Sequence, residues 1–173
     1  MLLVALTFLS GCSSPARETP TASPVDKLGW RTFTQGPAVA PPPGEPISDI
    51  SWTRDAEWEL VNVWASTCIP CKREIPALNE ALKIEGLQVL GVSRDQFKKY
   101  AKEFEQEVGA EFPSWQDPDG DYANTFHDYV NTNFIPFSVL ARNGQLHAVH
   151  LGPLSSAGDV EEYIHSQTGT REN

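Results

Sequence analysis

The chain has 173 residues, 23 of them acidic and 13 basic, for a formal net charge of −10. That length allows one ordinary domain with its own core plus some additional chain. The acidic balance lacks the basic footprint that phosphate backbones require, so nucleic acid is excluded as a partner and the charge is read as solubility.

The chain opens on an apolar run from Leu2 to Leu9, too short for the roughly 20 residues that span a bilayer. Leu9-Ser10-Gly11-Cys12 resembles the lipobox of bacterial lipoproteins, in which the cysteine is lipidated and becomes the mature N-terminus. No Lys or Arg precedes the run, a departure from the usual signal peptide. A lipoprotein signal is expected over residues 1–11, with lipidation at Cys12. Residues 13–46 then hold eight of the fourteen prolines, interleaved with Ser, Thr and Ala. Proline lacks a backbone donor and fixes φ, so residues 12–46 are expected to form an extended tether. Trp30 and Phe33 are expected to lay its second half against the domain, which is expected over 47–173.

The run "WELVNVWA" at 58–65 is short, apolar and β-branched, as suits a central strand buried on both faces. Directly after it come Cys68 and Cys71 in a C-x-x-C spacing, and Ile75, Leu78 and Leu82 then recur at helical spacing up to Gly86. Two thiols so spaced could hold a metal, staple a loop or carry electrons. Zinc normally needs four ligands, and His127, His147, His150 and His165 lack the spacing to complete a site. If Cys12 is lipidated, the mature chain holds one thiol pair and no structural disulfide, in a compartment where disulfides persist. The pair falls where a strand turns into a helix N-terminus. Free amides and the positive end of the helix dipole stabilise a thiolate there. Cys68 is therefore read as the exposed nucleophile and Cys71, one turn in, as the resolving thiol. Pro70 is tolerated in the first turn, whereas Pro76 lies inside the helix, where proline costs about 3 kcal/mol.

The longer string "VNVWASTCIPCKREIPAL" resembles the active-site segment of the thioredoxin superfamily, in its exported TlpA/ResA/DsbE-like branch. Trp64, Ala65, Cys68, Pro70, Cys71, Glu74 and Pro76 coincide with that branch's pattern. The resemblance continues through a second buried strand in "LQVLGVSRD", a helix over Gln96–Val108 with Phe97, Tyr100, Ala101 and Phe104 on one face, and the segment "FPSWQDPDGDYANTF". It ends in "FIPFSVLARNGQLHAVHLG", whose Asn143-Gly144 is itself a hairpin signal. A last helix capped by Ser155 or Ser156 carries Val160, Tyr163 and Ile164. The resemblance implies a thioredoxin-like α/β fold, a central mixed sheet flanked by helices, with a cis-proline strand facing the C-x-x-C helix.

It also implies roles. Cys68 and Cys71 would form the redox disulfide and carry catalysis. Ile135 and Pro136 would form the cis peptide that presents backbone to a substrate strand. Glu74 would tune the thiols, the more so because Asn62 stands where general thioredoxins carry a proton-accepting aspartate. Trp64, Thr67 and Pro70 would line the site. Thr67 replaces the family's usual tryptophan, and "NTNF" at 131–134 departs from the family's loop before the cis proline. The implied protein is a membrane-tethered, extracytoplasmic thiol–disulfide oxidoreductase, monomeric and without a cofactor or metal beyond its disulfide. Exported disulfide- or thiol-bearing proteins, apocytochrome c among them, would be its substrates, and a membrane thiol donor or acceptor its redox partner. The same residues run backwards would make a disulfide-forming oxidase. Two further readings fit less well. A peroxiredoxin would need Thr where Ala65 stands, and a copper(I) chaperone of the related exported type would need C-x₃-C.

Overall fold

The computed structural model describes residues 21–169, so Cys12 and the expected signal segment lie outside the described residues. Its first strand, β1 (Trp30–Thr32), falls within the stretch expected to be a tether, and it pairs antiparallel with a later strand at the sheet edge. Trp30 is fully buried, stacked on Tyr163 with ring centroids 5.0 Å apart, and Phe33 and Val39 are buried too. The proline-rich run beyond them straps across the domain: the carbonyls of Ala40 and Gly44 accept hydrogen bonds from Tyr122 Oη and Trp115 Nε1, at 2.9 and 3.2 Å. Proline removes donors but leaves carbonyls, so an extended strap can be satisfied by donors from the domain. Packing thus begins well before the expected domain start at residue 47. Trp30 and Phe33, expected to lay the second half of this stretch against the domain, are both buried there.

The remaining elements follow in order: β2 (Trp58–Trp64), α1 (Ile69–Ala81), β3 (Leu87–Ser93), α2 (Lys98–Val108), β4 (Ser114–Gln116), α3 (Asp121–Asn124), β5 (Phe137–Arg142), β6 (Gln145–Leu151) and α4 (Ala157–Thr168). The strands form one sheet in the order β1-β6-β5-β2-β3-β4. β2 is parallel to β3, and β3 to β4; β5 and β6 run antiparallel. Every residue of β2 is buried, the polar Glu59 and Asn62 included, as befits a strand in the middle of the sheet. Strand alternation sends Leu60, Asn62 and Trp64 to one face and Val61 and Val63 to the other. The first face packs on α1, α2 and α4 through Ile75, Leu78, Phe104, Val160 and Tyr163. The second packs on the α3 region and the strap through Tyr122, Phe126, Phe33 and Val39.

Two departures are local. The helix expected from Gln96 starts at Lys98, and Phe97 and Tyr100, expected on its buried face, are 65% and 52% exposed. Ala101, Phe104 and Glu105 form the face that packs inward. At the β5–β6 turn, Asn143 and Gly144 both take positive φ, 50° and 74°, the backbone that a two-residue hairpin demands. No helix among the described residues is long and apolar enough to cross a membrane.

Candidate active site

The fold brings four separate segments to the carboxyl end of β2. Cys68 caps α1 in an extended conformation, and the Cys71 backbone N–H donates to its Sγ at 3.2 Å. The two cysteines form a disulfide with Cα atoms 5.2 Å apart. Cys71 is fully buried while Cys68 is half-buried, so only the first sulfur meets solvent. A thiolate at Cys68 would receive one amide hydrogen bond and the positive end of the α1 dipole.

Facing it, the Ile135–Pro136 peptide is cis, and the Ile135 carbonyl oxygen lies 3.8 Å from Cys68 Sγ. The main chain at Ile135 thus approaches the Cys68 sulfur from outside α1, opposite the Cys71 amide. Thr67 and Phe134 stand exposed around it, as does Ile69 at 72% exposure, and together they make a partly apolar rim.

The floor of the site is polar and buried. Glu74, one turn beyond Cys71 on α1, is only 1% exposed. Its Oε1 accepts from Asn62 Nδ2 at 3.1 Å and its Oε2 from the Leu154 backbone N–H at 3.0 Å. Asn62 Nδ2 also donates to Ser138 Oγ, at 3.1 Å, across the β2–β5 pairing. Burial raises the Glu74 carboxyl from its ordinary 4.5 to about 7, against the lowering effect of the Leu154 and Asn62 hydrogen bonds. Asn62 Oδ1 has no hydrogen-bond partner among the described residues. Turning that amide over would offer Oδ1 to a protonated Glu74, so Asn62 can serve either protonation state.

Trp64 lies below the cysteines and not over them. It is 1% exposed, stacked on Phe104 at 4.9 Å, in the same apolar cluster as Cys71. Gly91 makes room for it: a Cβ there would sit 2.7 Å from Trp64 Nε1. Pro70 occupies the first turn of α1.

Sequence reading missed the loop's anchor. Asp95, at the end of β3, accepts from the Ser66 backbone N–H at 3.0 Å, from Ser66 Oγ at 2.7 Å and from Ser93 Oγ at 2.9 Å. The Arg94 N–H donates to the Trp64 carbonyl at 2.8 Å. These bonds tie the loop before Cys68 to the neighbouring strand. The Ser93-x-Asp95 spacing was the available signal, since such pairs hydrogen-bond locally at strand ends. Ser138 and Leu154 were also missed, because both reach the site only through tertiary pairing. Among the described residues, no three His, Cys, Asp or Glu side chains cluster to hold a metal ion.

A parallel β2–β3 pair, an antiparallel β5–β6 hairpin, a disulfide at a helix N-terminus and a cis proline opposite it define a thioredoxin-like protein. The chain belongs to the AhpC/TSA family, whose model matches residues 44–143. It is similar to the thiol-disulfide oxidoreductase ResA of Geobacillus kaustophilus, at 27% identity over 111 residues, 62% of this chain and 61% of that protein. It is similar also to the thiol:disulfide interchange protein HelX of Rhodobacter capsulatus, at 33% identity over 115 residues, 64% of this chain and 62% of that protein. The chain therefore spans about three fifths of the length of these relatives. Among solved structures, a DsbF homologue from Corynebacterium diphtheriae superposes with a TM-score of 0.65 at 23% identity, covering 89% of this chain and 96% of that one. A secreted thiol-disulfide isomerase from Corynebacterium glutamicum does so with a TM-score of 0.61 at 22% identity, covering 87% and 92%. These two likenesses concern the fold.

Proposed function

We propose that this protein is an extracytoplasmic thiol–disulfide oxidoreductase, lipid-anchored through Cys12, that reduces disulfides of exported proteins. The observation that carries the reading is the half-buried Cys68 sulfur, held between the Cys71 amide and the Ile135 carbonyl at the N-terminus of α1. Similarity to ResA and HelX supports it.

In the reducing direction the Cys68 thiolate attacks one sulfur of a substrate disulfide. A Cys68–substrate disulfide forms and the other substrate sulfur leaves as a thiolate. Cys71 then loses its proton and attacks the Cys68 sulfur, which closes the internal disulfide and releases the second substrate thiolate. Two electrons pass to the substrate. Glu74 takes the Cys71 proton: its pKa near 7 lets it accept and return a proton at neutral pH. Asn62 cannot accept a proton and positions the carboxylate instead. Ile135 pairs with the backbone of the arriving segment in the manner of an added strand. A membrane thiol donor restores the dithiol, and exported thiol-bearing proteins such as apocytochrome c are the substrates. Sulfur alone carries the electrons, so no soluble cofactor is needed.

The deciding test is the reduction potential of the Cys68–Cys71 pair, read in glutathione and dithiothreitol redox series. A value near or below about −270 mV supports the reductase. A value near about −120 mV would overturn the direction and make the same residues a disulfide donor. Membrane fractionation of the wild type against Cys12→Ser tests the anchor separately; equal membrane association of the two would remove it.

A further inference from the structure

The loop over 131–134, which departs from the family pattern, builds a pocket beside the disulfide. Arg94, Asn124, Thr132, Asn133 and Ile135 line it. Ile135 belongs to both places, since its carbonyl oxygen is 3.8 Å from Cys68 Sγ. The Arg94 main chain is fixed by its bond to the Trp64 carbonyl, yet its guanidinium forms no ion pair or hydrogen bond among the described residues, and its Nε is buried without a partner. Backbone at Gly120 lies close against that guanidinium: a Cβ added there would meet it at 2.3 Å. Two acidic side chains of the adjoining segments are engaged elsewhere. Asp95 is held by Ser66 and Ser93, and Asp117 accepts from the Tyr122 and Ala123 amides at 3.1 and 2.9 Å. Asn124 spends its Oδ1 on the Thr132 hydroxyl, at 3.0 Å, which leaves its Nδ2 as a donor.

The lining is therefore rich in donors and holds no carboxylate, in a chain of net charge −10. A half-buried guanidinium without an anion is an unmet demand for one. The group that arrives here is a polypeptide segment joined through its cysteine to Cys68 and running past Ile135. Extended chain advances about 3.3 Å per residue with alternate side chains on one face, so a side chain two positions from that cysteine reaches a neighbouring pocket. We propose that Arg94, with Asn124 and Asn133, is a specificity subsite for a carboxylate carried by the substrate segment close to its reacting cysteine. The inference rests on the oxidoreductase reading above and goes beyond it by naming a substrate class.

The test measures the second-order rate at which the reduced full-length protein reduces disulfide-linked peptides that carry Glu, Gln or Lys two residues from the cysteine. The expected order is Glu, then Gln, then Lys, with Glu ahead of Gln by about tenfold at low ionic strength and by less as salt rises. Arg94→Gln should bring the Glu-to-Gln ratio close to one, and Arg94→Lys should keep part of it. Asn133→Asp, at an exposed position where folding is not at risk, should also lower the ratio. A further pair of peptides, neutral throughout and ending in a free or an amidated carboxyl just after the cysteine, asks whether a chain end can supply the group; faster reaction of the free form assigns the site to chain ends as well. Equal rates for all peptides, or a ratio that survives Arg94→Gln, overturn the subsite alone. Failure to exchange with any peptide overturns the oxidoreductase reading, and this inference with it.

Discussion

The floor and the rim of this site are built in opposite ways. The floor consists of Asn62 on β2, Glu74 on α1 and Ser138 on β5, all in regular elements and all buried. The rim consists of Thr67, Ile69 and the 131–134 loop, exposed apart from Thr132 and carried mostly on connections. Rigid elements hold groups where a few tenths of an ångström change a proton affinity, while loops can vary without disturbing the core. On the proposed function, redox tuning would lie in the floor and partner choice in the rim, and mutations should separate the two.

The largest effects belong to the cysteines, which bridge floor and rim. Cys68→Ser should lower disulfide exchange to background, and Cys71→Ser should instead accumulate a mixed disulfide with substrate, seen as a mass shift under non-reducing conditions. If Cys71→Ser releases substrate as fast as the wild type, the two sulfurs are not divided in this way.

Removing the floor carboxylate comes next. Glu74→Gln should slow exchange by about tenfold or more near neutral pH and abolish the inflection near pH 7 in the rate profile. It should also change stability, with a definite sign. Because the folded pKa is raised, the native state binds more protons than the unfolded state between the ordinary 4.5 and about 7. Stability contributed by this group is therefore present below pH 4.5 and lost as pH rises through 7, a loss of up to about 3 kcal/mol. Denaturant titrations across pH 4 to 9 should show Glu74→Gln with a flatter profile than the wild type. Burial raises Glu59 and Glu105 in the same direction, so some slope should remain.

Asn62→Asp places a second carboxylate 3.1 Å from the first, at the Nδ2 position. Two carboxylates so close share one proton, which raises the apparent pKa of the second ionisation. The neutral inflection should move upward by about one unit or more in the pH–rate profile. An unmoved inflection would place the rate-controlling proton outside this pair.

The smallest effects are expected at the rim. Thr67→Trp and Phe134→Ala should change stability by less than about 0.5 kcal/mol, as surface substitutions usually do, while altering rates among peptide substrates by a few fold. A large stability change in either variant would show that rim and floor are mechanically joined.

Much of this was legible in the chain. Strand β2, the C-x-x-C turn and the Asn143-Gly144 hairpin follow from local periodicity and turn chemistry, which need no distant partner, and the resemblance to a known family implied the order of the remaining elements up to 168. The positions of Cys68, Cys71, Glu74 and Pro136 could be read from their spacing in a familiar motif. Trp30 and Phe33 could be read as packing against the domain, but local pattern could not show their partners, since Trp30 is buried against Tyr163 and β6, far along the chain. Nor could it show that Phe97 and Tyr100 face solvent, since their helix starts two residues later than the pattern suggested. By itself the sequence determined most of the elements over 58–168 and placed the two cysteines where a strand turns into a helix. Only the tertiary structure decided what surrounds those sulfurs. Proton affinity at Glu74 and the unpaired charge of Arg94 depend on desolvation and on partners that long-range packing brings within about 3 Å.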